Sequence, residues 1–498
     1  MSLMGIDAGM TGVKAVIFSE RGKLLSSAYR EYPLHQPQRG WAELDGGEIW
    51  EATRAVVAEA ASGARDKVKT VAVSSMGEAA VPMGADGKPL ARAICAFDTR
   101  TADITREIEA RIGRERLYRI TGHPPHASYT INHVVWRKRY EPKLVARTKK
   151  FLCMQDFLGY MFSGEAAMGY SLAARTSMFD ITRRAWSKEI FDAIELSPDL
   201  FSAPLEAGVA YGNVLPKVAS AIGLSRETKV VTGGHDQPMC CLGAGAIKEG
   251  MADLSLGTVE CIANVHRRPV LSKKALSRNL PVYNHVIPGH YTSLGYNLNS
   301  GGLLRWYRDN FAAADVARAK KERRSVYEIL FENMPDTTTP VLVMPHLVGT
   351  GTPYLDPLSR GAIVNLDLAT SREEIFLACA QGAVLEIMVS YRAQKECGLA
   401  PATINAIGGG ARSPKWLQMR SDALGVAINR MDVEEAGCVG AAILGGVAVG
   451  VFSNVVEGAR VFTKVVEKYQ PRRDRRARWD DLYAKYLGLY NALKPFRM

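Results

Sequence analysis

One pattern occurs twice in this chain: a short apolar strand, a turn that contains glycine, and a second apolar strand. The first copy covers residues 3–18, and the second covers residues 252–265. A third strand is predicted a short distance after each copy. A shared opening of this kind predicts two domains of related design, which we place at residues 1–247 and 248–498.

The composition is that of an ordinary globular chain. The 498 residues are 47% hydrophobic and 23% charged, which excludes a disordered chain, a fibrous repeat and a coiled coil. A chain of this length fits two or three domains and buries a large core without disulfides. No apolar run approaches the about 18 residues that a membrane-spanning helix needs, so we expect no membrane partner.

Net charge and cysteine usage bear on the partners and the compartment. The charge of +12 fits a mildly basic enzyme with an anionic ligand, or a nucleic-acid binder. No RNP, zinc-finger or bZIP motif accompanies this charge, so we expect no nucleic-acid partner. The eight cysteines form no C-x-x-C pair, which predicts reduced thiols and a cytoplasmic protein.

Several helix starts carry capping signals. Asp45 stands three residues before Glu48, and Ser371 and Ser413 precede further segments with helical spacing. The last helix, about 475–495, follows a basic run and carries an aromatic stripe, which we expect to be a packing face. One arrangement that we expect is a last helix that packs back on the N-terminal domain.

The first glycine-rich turn has the residues of a phosphate site. Gly9 lies in a predicted tight hairpin, where main-chain N–H groups can approach a phosphate. Thr11 adds a hydroxyl and Lys14 adds a positive charge. Asp7 offers one carboxylate to Mg²⁺, which keeps several waters and takes only one or two carboxylates. An ordinary β-turn is the alternative interpretation.

Two further glycine-rich turns offer related chemistry. Gly257 and Thr258 follow the first strand of the second copy. Gly409 and Gly410 lie in a run of three glycines between a buried strand and the helix that Ser413 caps. Because glycines carry no side chains, a flat adenine or a ribose can lie against this backbone.

Together the three turns predict an ATP site in a cleft between two domains. This is the arrangement of ribonuclease-H-like proteins such as actin, Hsp70 chaperones and sugar kinases. The predicted fold class is therefore α/β, with two ribonuclease-H-like domains and an interdomain cleft.

Asp236 is the candidate catalytic base. It follows a buried strand and the pair Gly233–Gly234, and an apolar segment comes after it. Phosphoryl transfer needs positioning, charge neutralisation and one acceptor for the proton of the attacking hydroxyl. The structural alternative is an aspartate that caps the following helix, and both interpretations fit the local pattern.

At this point the chain resembles the FGGY family of carbohydrate kinases, nearly from end to end. No single stretch decides the resemblance, but ten in the family's order are a specific signal. The stretches are residues 5–14, 41–45, 86–90, 97–100, 155–158 with 164–165, 174–176, 234–237, 254–258, 408–413 with 416 and 418, and 440–442.

The resemblance implies ATP, Mg²⁺ and a sugar, ketose or polyol substrate, in a cleft that closes on binding. It places Asp236 on the family's catalytic base. The residues that it assigns to the nucleotide are Gly9, Thr11, Lys14, Gly257, Thr258, Gly409, Gly410 and Ser413. The residues that it assigns to the sugar pocket are Met76, Glu78, Phe97, Asp98 and Gln237.

Departures from the family patterns leave the substrate open. Met10 replaces the first hydroxyl residue of the phosphate turn, and residues 349–351 replace a charged pair. The histidine that xylulose kinases carry after Met76-Gly77 is absent, and the pair His235–Asp236 is nearer to L-fuculose kinases. Among the substrates that the resemblance implies, we expect a five-carbon ketose first, so D-xylulose is the first substrate to test. The alternatives are L-fuculose, other ketoses, polyols and sugar acids.

Two other enzyme or binding classes also fit part of the pattern. A non-kinase ATP switch of the Hsp70 or actin type would use the same glycine-rich turns. A glycosidase would use Glu78 and Asp236 as its two carboxylates, but would leave the turns unexplained. The partners that we expect are a small sugar and ATP, and a homodimer is common in families of this kind.

Overall fold

The computed structural model describes residues 1–64 and 66–496. The first of its two main sheets has six strands. The second, third and fourth strands in spatial order run parallel, and the other strands pair antiparallel with their neighbours. In spatial order the strands are Ala210–Asn213, Lys229–His235, Val68–Ser75, Ser2–Ala8, Gly12–Ser19 and Leu24–Glu31.

The second sheet repeats this pairing around three neighbouring parallel strands. In spatial order its seven strands are Val282–Asn284, Tyr291–Asn297, Glu260–His266, Met251–Leu256, Thr403–Ile407, Ala427–Met431 and Val465–Tyr469. The α/β fold class with two domains of related design is therefore confirmed. The strand predicted at 291–296 is the third strand of the second copy.

The N-terminal half adds helices and small strand pairs around its sheet. The helices are Gly46–Gly63, Ala102–Ile112, Arg114–Thr121, Thr130–Tyr140, Pro142–Arg147, Met154–Ser163, Tyr170–Arg175, Lys188–Ile194, Pro216–Ile222 and Asp236–Gly243. The strand pairs are Glu43–Leu44 with Ala93–Ile94, Ala80–Met83 with Lys150–Cys153, Ala167–Gly169 with Ala203–Leu205, and Phe179–Asp180 with Ala185–Trp186.

The C-terminal half has its own helices and one small strand pair, Leu342–Met344 with Ala362–Val364. The helices are Lys273–Ser277, Gly301–Phe311, Ala313–Glu322, Val326–Asn333, Arg372–Glu396, Pro414–Leu424, Ala436–Ala448, Val455–Phe462 and Arg476–Ala492. Short 3₁₀ turns are formed by Pro198–Leu200, Gly409–Arg412, Arg473–Arg475 and Lys494–Phe496.

The predicted capping signals start real helices. The side chains of Asp45, Ser371 and Ser413 each accept a hydrogen bond from a main-chain N–H in the first turn of the helix that follows. Such a bond satisfies a donor that the helix itself leaves unpaired. These three starts were predictable because a cap depends on residues only two or three positions apart.

Two helices of the C-terminal half cover the first sheet. Ala436–Ala448 packs on the strands Ser2–Ala8 and Val68–Ser75, and Val455–Phe462 packs on Ala436–Ala448. Small residues permit this close approach, because a Cβ added at Gly5 of the first strand would lie 2.0 Å from the carbonyl oxygen of Cys438 in the helix. The two halves therefore share one apolar core beneath the first sheet.

Helix Arg372–Glu396 lies at the centre of the C-terminal core. Within the described part of the chain, it is the one helix long and apolar enough to cross a membrane by length and composition. However, 89% of its apolar window is buried inside the protein, as expected for the core helix of a globular domain.

The last helix corrects one expectation. Arg476–Ala492 packs on Arg372–Glu396 and Pro414–Leu424 of its own half, and its stripe of Trp479, Tyr486 and neighbouring aromatics is part of the C-terminal core. The prediction of a packing face is confirmed, but the prediction that the helix packs back on the N-terminal domain is wrong. An aromatic stripe predicts that a face is covered without specifying which surface covers it.

Candidate active site

Three strand ends bring the first group of candidate residues together. Ser2–Ala8, Val68–Ser75 and Lys229–His235 are parallel, so their carboxyl ends meet at one edge of the sheet. This edge is where open α/β sheets bind their ligands. It places Asp7, the loop 76–78 and Asp236 beside one another.

Asp236 does not cap the helix that follows it. His235 occupies the N-cap position, and Asp236 is the first helical residue. Its side chain is 29% exposed, yet Oδ1 is buried and has no hydrogen-bond partner in the described residues. The nearest basic atom, His235 Nε2, is 3.2 Å away without hydrogen-bond geometry, while Nδ1 of that histidine lies 2.8 Å from the hydroxyl of Tyr283.

The surroundings of Asp236 favour a proton acceptor that works near neutral pH. Burial raises the pKa of Asp236 to about 7, and the negative charges of Asp7 and Glu78 add to the shift. A carboxylate with this pKa is matched to proton transfer at physiological pH. Burial also lowers the pKa of His235, so this histidine contributes no compensating positive charge.

Glu78 lies in the same pocket, and its partner is a residue without an assigned role in the sequence analysis. Arg175 Nη2 donates a short hydrogen bond to Glu78 Oε1. Gln237 is adjacent to Asp236, and its side-chain Oε1 is also buried without a partner among the described residues. The stretch 174–176 contributed to the resemblance, but no local pattern connects Arg175 with a carboxylate 97 positions away.

Asp98 is buried in a structural network. Its two oxygens accept four hydrogen bonds, from the main-chain N–H of Ala42 at 2.7 Å and from Arg100 at 2.9, 2.9 and 2.7 Å. A carboxylate offers about four acceptor sites, so Asp98 has no site left for a sugar hydroxyl in this arrangement. Arg100 in turn stacks on Trp41, 3.5 Å from the ring centroid.

The remaining two residues assigned to the sugar pocket differ in exposure. Met76 is 4% exposed and packs into the core of the N-terminal half. Phe97 is 53% exposed. Neither side chain makes a polar contact with the part of the chain that the structure describes, so any role in sugar binding would be steric.

The first glycine-rich turn is a hairpin next to the C-terminal half. The N–H of Gly9 donates to the carbonyl of Gly12 at 3.0 Å, and Thr11 is exposed at the tip. Lys14 Nζ lies 2.6 Å from Glu435 Oε1, at the start of helix Ala436–Ala448. The turn therefore faces the amino end of a helix, where main-chain N–H groups favour anions.

Asp7 stands between the turn and the same helix. Its Oδ1 accepts a hydrogen bond from Ser74 Oγ at 2.7 Å, and a Cβ at Gly437 would lie 2.9 Å from its carboxyl carbon. Burial raises the pKa of Asp7, and the hydrogen bond from Ser74 opposes this shift. No group of three or more His, Cys, Asp or Glu side chains in residues 1–64 and 66–496 is placed to hold a metal, so Asp7 fits Mg²⁺ only in the mostly hydrated form that one or two carboxylates support.

The other two glycine-rich turns line one cavity in the C-terminal half, with a volume of about 690 Å³. The predicted residues that line it are Gly257, Thr258, Gly409, Gly410 and Ser413. Its walls include Leu256, Leu304, Phe331 and Trp416. A large apolar cavity with a few polar groups is the usual form of a small-molecule site.

A second cavity, of about 210 Å³, shares Gly409 and Arg412 with the first and also includes Glu435. Since Glu435 is the partner of Lys14, this smaller cavity lies beside the large one and has in its lining the residue that meets Lys14. The arrangement offers space for an elongated ligand, with a flat group in the large cavity and an anionic group near Lys14.

Sequence comparison decides the family. The profile for the N-terminal domain of the FGGY family of carbohydrate kinases matches residues 2–243, and the profile for its C-terminal domain matches residues 252–449. The chain belongs to the FGGY family of carbohydrate kinases.

Some relatives of this FGGY kinase are named for xylulose and others for gluconate. The chain is 28% identical to a xylulose kinase from Bacillus subtilis over 99% of both chains. It is 26% identical to a gluconokinase from Bacillus licheniformis, over 99% of this chain and 96% of the relative. The structure of a xylulose kinase from Lactobacillus acidophilus matches with a TM-score of 0.90 at 22% identity, over 99% of this chain and 98% of the other, which supports the fold.

Family membership makes this protein a carbohydrate kinase, and it implies ATP as the phosphoryl donor. The resemblance stated from the motifs is thus confirmed. The ATP-switch and glycosidase alternatives are set aside, because neither is a carbohydrate kinase.

Proposed function

We propose that this FGGY kinase transfers the γ-phosphate of MgATP to a hydroxyl of a ketopentose, with D-xylulose as the first candidate. The observation that carries the reaction is Asp236, a carboxylate with a buried and unpartnered oxygen at the edge where the strands end. The names of several relatives support the substrate.

In this proposal Asp236 Oδ1 accepts the proton of the attacking hydroxyl. Gln237 and Glu78 hold neighbouring hydroxyls, so that the reacting oxygen points toward the first turn. Such positioning supplies most of the catalysis in phosphoryl transfer, and the base adds about 10²–10⁴-fold.

The nucleotide is held by residues from both halves. Gly409, Gly410 and Ser413 line the space for adenosine, while Thr258 and Lys14 contact phosphates from opposite sides. When bound, Mg²⁺ would neutralise charge on the phosphates, and Asp7 is the residue that would hold it through its water shell. Because the large cavity and Asp236 belong to different halves, closure of the cleft would bring donor and acceptor together.

A second candidate substrate is a sugar acid. Gluconokinases from Bacillus licheniformis and Bacillus subtilis are among the relatives, at 26% and 27% identity. Other substrates of the family, such as L-fuculose, other ketoses or polyols, belong to the same reaction class and would use the same base.

A coupled ADP-release assay over ketoses, polyols and sugar acids tests the substrate. The proposal expects the highest kcat/KM with a ketopentose, and a clear preference for gluconate would favour the second candidate. Asp236→Asn should lose turnover on the best substrate while still binding ATP, and full turnover by this variant would show that Asp236 is not the base.

We also infer the location and the oligomeric state of the enzyme. All eight cysteines are free, and we infer a reducing, cytoplasmic location from this usage. A homodimer is proposed by analogy with such families, and light scattering of the purified protein tests it.

A further inference from the structure

Arg175 is a buried cation in the pocket proposed for the sugar. It ends helix Tyr170–Arg175, and its side chain is 14% exposed. Its guanidinium lies over the rings of Tyr129 and Tyr283, 5.0 and 5.7 Å from their centroids. Nη2 is bonded to Glu78, but Nε is buried and has no hydrogen-bond partner among the described residues. A buried N–H without a partner is costly, and a ligand oxygen is the kind of group that would satisfy it.

The loop 76–78 is shaped to bring Glu78 to this cation. Glu78 has a φ of 65°, which is uncommon for a residue with a side chain. The hydroxyl of Thr130 donates to its carbonyl oxygen at 2.8 Å and so holds the conformation. A Cβ at Gly77 would lie 3.1 Å from the ring of His235, which is tighter than usual, and 3.4 Å from Arg175 Nε, which is ordinary contact. Glycine at 77 therefore leaves room for the ring of His235 beside this loop.

The ionisable groups that face the pocket include one cation, Arg175, and three carboxyl groups, those of Glu78, Asp236 and Asp7. Glu78 pairs with Arg175. Burial raises the pKa of Asp7 and raises the pKa of Asp236 to about 7, so Asp236 adds a negative charge to the pocket as the pH rises above 7. Burial lowers the pKa values of His123, His126 and His235, so the histidines around Arg175 are neutral. A substrate carboxylate would therefore meet a cation that is already paired and two or three negative side chains.

We propose that the Glu78–Arg175 ion pair selects neutral polyhydroxy substrates and excludes sugar acids. This inference rests on the proposed function of the same site. In the pair, Glu78 Oε1 is occupied by Arg175, so Oε2 accepts from one substrate hydroxyl. Arg175 Nε donates to a substrate oxygen. Specificity of this kind depends on the repulsive element, here the Glu78 charge, as much as on the attractive one.

Replacing Glu78 tests the selection. Glu78→Gln keeps the shape but frees the charge of Arg175, so the ratio of kcat/KM for D-gluconate to kcat/KM for D-xylulose should rise by about tenfold or more. The double variant Glu78→Gln/Arg175→Gln has no cation and should lose this gain. An unchanged ratio in Glu78→Gln, or an equal gain in the double variant, would overturn the proposal.

A measurement on the unaltered enzyme covers the case in which the variants fail to fold. D-Gluconate and its neutral amide, D-gluconamide, differ in charge but little in shape. Each is tested as a competitive inhibitor of D-xylulose phosphorylation. We expect the KI of the amide to be at least about tenfold lower than the KI of gluconate. Equal or stronger inhibition by gluconate would contradict the selection.

These outcomes separate the inference from the proposed function. If the enzyme phosphorylates no ketopentose but phosphorylates gluconate, both the ketopentose assignment and the selection are wrong. If it phosphorylates D-xylulose and gluconate inhibits as well as its amide does, the function stands and the selection alone is wrong.

Discussion

Arg420 and Glu260 form a buried two-point ion pair beneath the large cavity, with Nε–Oε1 at 2.7 Å and Nη2–Oε2 at 2.9 Å. Both side chains are fully buried. The guanidinium also stacks on Trp416, 3.8 Å from its ring centroid, and Trp416 lines the cavity. The ion pair therefore supports the wall against which adenosine is proposed to lie.

Breaking this pair should destabilise the protein and weaken ATP binding together. Glu260→Gln leaves a buried cation without its partner, which typically costs about 3–5 kcal/mol. Urea unfolding measures the stability, and the KM for ATP should rise because Trp416 loses its support. The double variant Glu260→Leu/Arg420→Met is the control, since replacing both charges by apolar side chains is often close to neutral. A double variant as unstable as the sum of its single variants would contradict this account.

Two adjacent glycines should respond differently to alanine. A Cβ at Gly410 would lie 2.8 Å from Trp416 Cζ3 and 2.9 Å from Leu256 Cβ, whereas a Cβ at Gly409 meets nothing within 4 Å. We therefore expect Gly410→Ala to lower the Tm, and Gly409→Ala to keep the wild-type Tm but raise the KM for ATP. A wild-type KM in Gly409→Ala would mean that the nucleotide does not lie on this backbone.

The activity should depend on pH through Asp236. Its pKa is raised to about 7, and a base must be unprotonated to accept a proton. The kcat/KM for the sugar should fall about tenfold for each pH unit well below 7 and level off above it. The profile is measured at fixed saturating MgATP between pH 5.5 and 8.5. A flat profile down to pH 5.5 would exclude Asp236 as the titrating base.

The same carboxyl should make the protein less stable as the pH rises. Its pKa is higher in the folded protein than the ordinary 3.8, so folding favours the protonated form. The cost is absent below pH 3.8, grows between 3.8 and about 7, and is complete above that. Asp236→Asn should therefore raise the Tm relative to wild type, by more at pH 8 than at pH 5. Calorimetry at the two pH values checks this, and the opposite order would contradict it.

The ion pair between Lys14 and Glu435 should compete with ATP for the lysine. Glu435→Gln removes the partner at 2.6 Å, so the KM for ATP should fall by about 2–10-fold. Glu227→Gln is the matched control, because it removes the same charge from a lysine partner at 2.6 Å, Lys67, and neither residue lines the two cavities. Equal effects of the two substitutions would indicate a general charge effect without a specific role for Lys14.

Local patterns predicted the strands, the capped helices and the three turns, because each depends on residues within a few positions of one another. The motifs assign Gly257, Thr258, Gly409, Gly410 and Ser413 to one ligand, and all five line one cavity.

What could not be predicted depends on long-range packing. Arg175 meets Glu78 across 97 positions of sequence, and Asp98 accepts a hydrogen bond from the main-chain N–H of Ala42 across 56 positions. The side that the last helix covers was mispredicted for the same reason. Periodicity identifies an apolar face, but the surface that meets it is selected by the whole fold.

The cover that helix Ala436–Ala448 provides for the first sheet has a consequence for biosynthesis. The sheet's last parallel strand ends at His235, about 200 residues before the helix begins. At about 5–20 residues per second, the ribosome needs about 10–40 s to supply it. During that time Leu3, Val16 and Ala72 on the nascent sheet lack the apolar partners that the helix supplies. The N-terminal half of this enzyme is therefore complete only when nearly the whole chain has been made.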